Sequence, residues 1–398
     1  MLQGLRILDL GWVLAGPFAG QLLAQLGADV IKVEPLEGDM ARTIPPYFVD
    51  GESSFFLAIN RGKRSVAINI KHERGARVLK DLVRRSDAVI CNFTPGAASR
   101  LGVDHPSLCK LNPKICLGQL IGWHDQGEFA SAPAFDLVIQ AAGGVMSITG
   151  EPDGEPVRVG YQIADLAGGL YLALGTLGAL VHAARTGKGR QVQVSLFDCQ
   201  LALLTWQAQN YLVTGEVPRR NGSRHHMIAP SEIFTGCDGE QFVISPTGEQ
   251  FFRNFCEAIG DPEMAEDKRF ATSAARIKHV TELASRLQAV FSQRSTEQWL
   301  KLFEEKRIPA GPVNNVAQAL HHPVATLRNM LEAVVNPASG STHEFLGNPF
   351  KWPGAPVLGY PPRLGEHTRI VLEEVCGYEP GTIDDLARCG AVVTRDAG

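Results

Sequence analysis

The stretch 161–184, YQIADLAGGLYLALGTLGALVHAA, constrains the chain more than any other. After the carboxylate of Asp165 no Asp, Glu, Lys or Arg occurs until Arg185, and Thr186-Gly187-Lys188-Gly189 closes the run, which predicts a buried helix with an acid at its mouth. Its length approaches a membrane span. Four glycines and a histidine dilute the apolarity, however, and the chain is only 44% hydrophobic, so the segment reads as a core helix. Gly168, Tyr171, Gly175, Gly178 and His182 recur at helical spacing. Each interior glycine costs about 1 kcal/mol relative to alanine, so a neighbouring element is expected to pack tightly on that face.

Asp165 has two readings. It caps the helix by accepting hydrogen bonds from the backbone N–H of Ala167 or Gly168. Alternatively, the helix dipole holds it ionised while the glycines behind it leave room for a substrate, the setting a carboxylate nucleophile needs.

With 398 residues the chain has room for two or three domains and a large core. A net charge of −4 gives no global attraction to nucleic acid or membrane, so an anionic ligand needs a local basic patch. The eight cysteines form no CxxC pair and have no histidine at metal-ligand spacing; reduced thiols in a cytoplasmic protein, with no metal, are expected. The N-terminal MLQGLRILDLG carries an arginine inside a short apolar run and lacks a signal-peptide cleavage region.

In chain order, Leu5–Leu10 reads as a buried strand, 11–16 as a loop, 17–26 as helix and Asp29–Glu34 as the next strand. This βαβ unit turns beside a helix N-terminus, a ready place for a phosphate or carbonyl oxygen. The loop GWVLAG is not GxGxxG, so a nicotinamide or flavin reading lacks its main support. Residues 60–65, NRGKRS, read as an exposed basic turn before the alternating strand 66–70. Helix over 75–84, a strand over 88–92 and another over 115–121 continue the βα alternation of a large parallel-sheet α/β domain. A strand is expected over 189–194 and one helix over 195–212.

Residues 213–229, rich in proline, glycine, arginine and histidine, suit a linker. His225 and His226 are adjacent and do not make a ready metal pair. A smaller α+β domain follows over 230–316, with a strand pair turning at Cys237-Asp238-Gly239, helices near 250–259, 273–293 and 296–306, and a rigid proline-containing loop over 308–313. Residues 317–398 return to complete the large domain begun by 1–212.

Several blocks in order resemble the family III coenzyme A transferases, which include formyl-CoA and carnitine CoA-transferases. They are LRILDLGWVLAGPFAGQLLAQLGADVIKVEP, NRGKRSVAINIK, NFTPGAASRLG, ADLAGGLYLALGTLGALVHAARTGKGRQVQVSLFD, IPAGPV and LGEHTRIVL. The resemblance implies a Rossmann-like large domain, a smaller domain, and two protomers linked like chain rings into a homodimer. It also implies that Asp165 is the nucleophile. CoA contacts would fall on Val13, Leu14 and Ala15 in the first loop, on Ile68 and Lys71 beyond the basic turn, and on Asn92, Phe93 and Arg100. Glutamine can occupy the position of Leu14 in the family, and Leu14 cannot donate that side-chain hydrogen bond. Coenzyme A and acyl-CoA would be substrates, with no resident cofactor.

The same family includes α-methylacyl-CoA racemases, which use a histidine in a GHD-like segment. Here that segment is Pro133-Ala134-Phe135-Asp136, and phenylalanine cannot move a proton. A non-catalytic CoA-binding subunit is the other alternative, against which the retained Asp165 and its glycines argue. A small dicarboxylate acceptor and a succinyl-CoA donor are expected, with Arg42, Arg219, Arg220, Arg224, His225 and His226 as possible partners for a distal carboxylate.

Overall fold

The computed structural model describes residues 1–395. They form two compact units: Met1–Val145, Val159–Leu212 and the chain from Val324 onward make the larger, while Met146–Arg158 and Val213–Pro323 make the smaller.

In the larger unit the strands are β1 (Arg6–Asp9), β2 (Asp29–Glu34), a two-residue ladder β3 (Phe48–Val49) with β4 (Glu52–Ser53) that the sequence reading does not include, β5 (Lys63–Ile68), β6 (Ala88–Cys91), β7 (Cys116–Ile121) and β8 (Gln191–Ser195). Between them lie α1 (Ala15–Gln25), α2 (Ser54–Ile59), α3 (Glu73–Arg84), α4 (Pro95–Leu101), α5 (His105–Leu111), α6 (Asp136–Ala142), α7 (Ile163–Thr186) and α8 (Leu196–Leu203). The main sheet runs β5-β2-β1-β6-β7-β8, all parallel, and the terminal strand Val392–Val393 adds antiparallel to β5. Chain order reverses between β1 and β6. In such sheets that switch point opens a crevice beyond the carboxyl ends of the strands.

The central strands are apolar because both faces are covered. Leu8, Ile31, Val66 and Val89 meet α3 and the C-terminal helices on one face; Ile7, Val30, Ala88 and Ile90 meet α1, α7 and α8 on the other. The helix predicted over 161–184 is α7, which is ended by Gly187 in the left-handed region at φ 72°. Gly168 and Gly175 do permit close packing: a Cβ there would come within 2.4 Å of Leu196 and 2.7 Å of Val192. Gly178 meets nothing. The single helix expected over 195–212 is instead two, because Thr205 adopts φ 42° between α8 and α9 (Thr205–Thr214).

The smaller unit is built on aromatics. Phe234, Phe242, Phe255, Phe291, Trp299 and Phe303 form its core. Strands Glu232–Thr235 and Gln241–Ile244 pair antiparallel, and Ala310–Pro312, expected as a loop, joins them as a third strand. The segment 213–229, expected as a linker, is tied down within this unit: Gly222 N–H donates to the Gly150 carbonyl at 3.0 Å and Arg224 pairs with Glu232 at 2.8 Å.

Candidate active site

The loop after β1 is held by a buried polar network. Asp9 at the end of β1 accepts from Gly11 N–H at 2.8 Å and from Lys63 Nζ at 2.8 Å. Lys63 also donates to the Pro17 carbonyl and to Asn60 Oδ1, both at 2.7 Å. Lys32 Nζ donates to the Gly11 carbonyl at 2.9 Å and to Asp39 Oδ2 at 2.8 Å, and Asp39 Oδ1 accepts from Val13 N–H at 3.1 Å. Asn92 clamps Trp12 at both ends, accepting its N–H and donating to its carbonyl at 2.9 Å each. Val13 is thereby held at φ 63°, a costly conformation for a β-branched residue.

Electrostatics follow from burial. Burial pulls the Lys63 ammonium down to about 8, although Asp9 opposes it. For Lys32 burial acts the same way but Asp9, Asp39 and Glu34 outweigh it, so its pKa is raised. Burial would raise Glu34, yet the hydrogen bonds of Arg42 and the charge of Lys32 bring it to about 2. The turn 60–65 is therefore not an exposed basic patch. Arg61 is buried and donates to the Leu346 and Leu358 carbonyls and to Glu332, while Lys63 lies beneath the first loop. Arg42 is likewise consumed by Glu34, Glu52 and the Pro362 carbonyl, so it has no cation to offer a substrate.

A cavity of about 370 Å³ opens over the carboxyl ends of β5, β2, β1 and β6. Ile68, Lys71 and Phe93 of the expected residues line it, and so do Trp12, the chain leaving β2 at Pro35–Glu37, and Leu101. The chain beyond β2 was missed, although strand ends at this edge are where such sheets bind ligands. Lys71 and Arg100 are exposed, and neither has an ion-pair partner among the described residues. Leu14 and Ala15 are buried at 6% and 3% exposure, and the amide of Asn92 is committed to Trp12; these three shape the loop.

Asp165 lies in the first turn of α7, and the cap reading fails. Its carboxylate has no hydrogen-bond partner among the described residues, because Asp136 has taken that role. Asp136 Oδ1 accepts from Ala164 N–H at 2.9 Å and Asp165 N–H at 3.4 Å, while Gln140 donates to its Oδ2 at 2.7 Å. Asp165 is half-buried beside this second carboxylate. Burial first, and the charge of Asp136 second, push its pKa up to about 7, opposite to the expectation that the helix dipole holds it ionised. One turn on, Gly169 lies against the first loop: a Cβ there would sit 2.8 Å from the Ala15 carbonyl oxygen. Glycine at 169 thus brings the mouth of α7 up to the start of α1.

Among the described residues no group of three or more His, Cys, Asp or Glu is placed to hold a metal ion. What remains is a parallel-sheet protein with a cavity at its switch point, the exposed Lys71 in its lining while Arg100 lies outside that lining, and a carboxyl group tuned toward neutrality in the first turn of α7. The chain belongs to CoA-transferase family III, which it matches over residues 2–368.

Its relatives act on CoA thioesters. It is 38% identical over 398 residues to the succinyl-CoA:glutarate CoA-transferase of Mus musculus, covering 98% of this chain and 90% of that protein. It is also 38% identical to the acetyl-CoA:oxalate CoA-transferase of Acetobacter aceti, over 89% of this chain and 92% of that protein. The crystal structure of a CAIB/BAIF family protein from Brucella suis superposes with a TM-score of 0.82 at 36% identity, covering 94% of this chain and 98% of that one. The protein is an acyl-CoA:carboxylate CoA-transferase.

Proposed function

We propose that the protein moves CoA from an acyl-CoA donor, succinyl-CoA foremost, to a small dicarboxylic acid through covalent intermediates on Asp165. The observation that carries this reading is the carboxyl group of Asp165, half-buried, without a hydrogen-bond partner among the described residues, and raised to about 7. An ionised carboxylate stripped of hydrogen bonds is a stronger nucleophile than a solvated one. Its attack on the donor thioester forms a mixed anhydride and expels the CoA thiolate. The thiolate then attacks the aspartyl carbonyl, releasing the donor acid and leaving an aspartyl-CoA thioester. The acceptor carboxylate attacks that thioester to form a second anhydride and free the thiolate, which takes the acceptor acyl group and restores Asp165. Thioester energy is conserved throughout, so no nucleotide triphosphate is consumed.

Binding of CoA fits the switch-point cavity, with Trp12, Ile68 and Phe93 against its apolar parts and Lys71 and Arg100 answering its phosphates by charge-assisted hydrogen bonds. Val13, Leu14 and Ala15 would present backbone groups, and Asn92 would act by clamping Trp12. The dicarboxylate acceptor is supported by the relatives, whose names include glutarate, oxalate and mesaconate. A homodimer is supported by α7, where Leu170, Leu174 and Val181 are 52%, 65% and 52% exposed along one apolar stripe beside the open Gly178. Eight unpaired cysteines suit a reducing cytoplasm. The racemase alternative gains nothing, since Phe135 stands 68% exposed where a proton-moving histidine would be needed.

The test is to incubate the protein with succinyl-CoA and hydroxylamine and map the product by mass spectrometry. A hydroxamate on Asp165, absent from Asp165→Asn, is expected. An unmodified Asp165 in protein that still exchanges CoA between two acids defeats the proposal.

A further inference from the structure

Two buried ammonium groups, Lys32 and Lys63, lie beneath the first loop, and the chemistry proposed above uses neither. Lys63 is the hub of the two. Its side chain is fully buried and its three N–H donors are all taken, by Asp9 Oδ2 at 2.8 Å and by the Pro17 carbonyl and Asn60 Oδ1 at 2.7 Å each. These acceptors come from the end of β1, the start of α1 and the residue after α2. Gly20 of α1 lies directly on the ion pair: a Cβ there would be 2.5 Å from Asp9 Oδ2 and 3.2 Å from Lys63 Cε.

The loop held by these bonds does not hold itself. Val13 adopts φ 63°, a conformation that a β-branched residue keeps only where its surroundings impose it. Asp9 passes the constraint on, since its Oδ1 accepts from Gly11 N–H at 2.8 Å while its Oδ2 takes the ammonium of Lys63. Next to Gly11 stands Trp12, which lines the switch-point cavity. A neutral amine has two N–H groups for three acceptors, so a lost proton strips one acceptor of its donor and Asp9 of its bonded counter-charge. The charged groups that bear on Lys63 are Asp9 on β1, Lys32 on β2 and Asp39 beyond it, and α1 contributes none. Cys91 on β6 bears on Asp9, but burial pushes its thiol up to about 12. Lys32 is raised while burial pulls Lys63 down to about 8, so Lys63 is the ammonium that gives up its proton first.

We propose that Lys63 is a positioning residue for acyl-CoA: through Asp9 and the Pro17 carbonyl its ammonium sets the first loop, and with it Trp12 at the wall of the cavity. The inference rests on CoA occupying that cavity and adds a proton that controls its binding. Calorimetry with desulfo-CoA, which has no thiol or thioester to react or titrate, would be run from pH 7 to 9. The proteins are the parent, Lys63→Met, Lys63→Arg, and Asp9→Asn combined with Lys63→Met. With binding confined to the protonated lysine, a value of about 8 raises the Kd about tenfold between pH 7 and 9. Lys63→Met should bind weakly at every pH, without that break. Lys63→Arg stays charged and should bind at pH 9 as it does at pH 7. The double variant leaves no unpaired buried charge, so it keeps the test decisive where Lys63→Met melts early, and it too should bind weakly and without the break. A purely structural role would lower the calorimetric stoichiometry and leave the Kd of the folded molecules unmoved.

A parent Kd that stays constant from pH 7 to 9 overturns the inference. So does parental affinity in the variants that lack Lys63, or a break of full size that persists in them, which assigns the proton to another group. Amide exchange over residues 10–18 without ligand, corrected for the intrinsic rate, tells two failures apart. Protection that falls at pH 9 while the desulfo-CoA affinity holds takes CoA out of the switch-point cavity. Protection that holds takes Lys63 out of the control of the loop.

Discussion

Asp165→Asn should make the protein more stable in alkaline solution than it is with its own aspartate. The carboxyl group is raised from an ordinary value of 3.8 to about 7. Three units at about 1.36 kcal/mol each amount to about 4 kcal/mol. The sign follows from proton counting. Between pH 4 and 7 the folded protein keeps a proton on Asp165 that the unfolded chain has released, so stability falls as pH rises through this window and levels off above 7. Asparagine keeps the shape and drops the charge. The advantage of the variant over the parent is thus close to zero near pH 4, about 2 kcal/mol at pH 5.5 and about 4 kcal/mol at pH 8. Urea unfolding of both proteins at pH 5.5 and 8, at one protein concentration, reads the difference directly. A gap between the two proteins that is independent of pH, or that narrows toward pH 8, refutes the reasoning whatever the variant does to activity.

Two further perturbations probe the first loop and the cavity. Lys32→Met leaves Asp39 buried without the ammonium that Oδ2 accepts from, and breaking such a pair costs about 3–5 kcal/mol; a urea midpoint within error of the parent would show that Asp39 is solvated. Lys71→Ala combined with Arg100→Ala should raise the KM for acyl-CoA and flatten its dependence on salt, while the KM for the same acyl group on pantetheine, which lacks the nucleotide, stays put; an equal rise for both thioesters would place the nucleotide elsewhere.

The parallel strands were readable because each is an apolar run covered on both faces, and the helices between them because their apolar faces repeat with the helical period. Single residues mattered where the reading failed. Thr205 at φ 42° splits a helix whose apolar pattern is continuous, and the proline and glycine of Ala310–Pro312 hide an edge strand that needs few ladder bonds. Strands Leu331–Val335 and Thr342–Leu346 went unnoticed, since neither alternates cleanly between apolar and polar residues. The basic turn failed for another reason. Sequence displays cations but not their partners, and Lys63 finds Asp9 54 residues away while Arg61 finds Glu332 at a separation of 271.

Asp165 illustrates how such long-range pairing decides the state of a carboxyl group. An acid in the first turn of a helix ordinarily serves the helix, and here the backbone N–H groups at that end are served instead by Asp136, 28 and 29 residues upstream. Because a second carboxylate does the capping, the first is left with unshared oxygens. Because the two lie close together in a half-buried place, the first resists ionising in the absence of substrate. Gly169 then matters as much as either acid, for a side chain there would meet the Ala15 carbonyl and push the mouth of α7 away from the strained loop at Val13. On the proposed mechanism, freedom to react and nearness to the proposed CoA loop therefore come from two residues that need never touch the substrate.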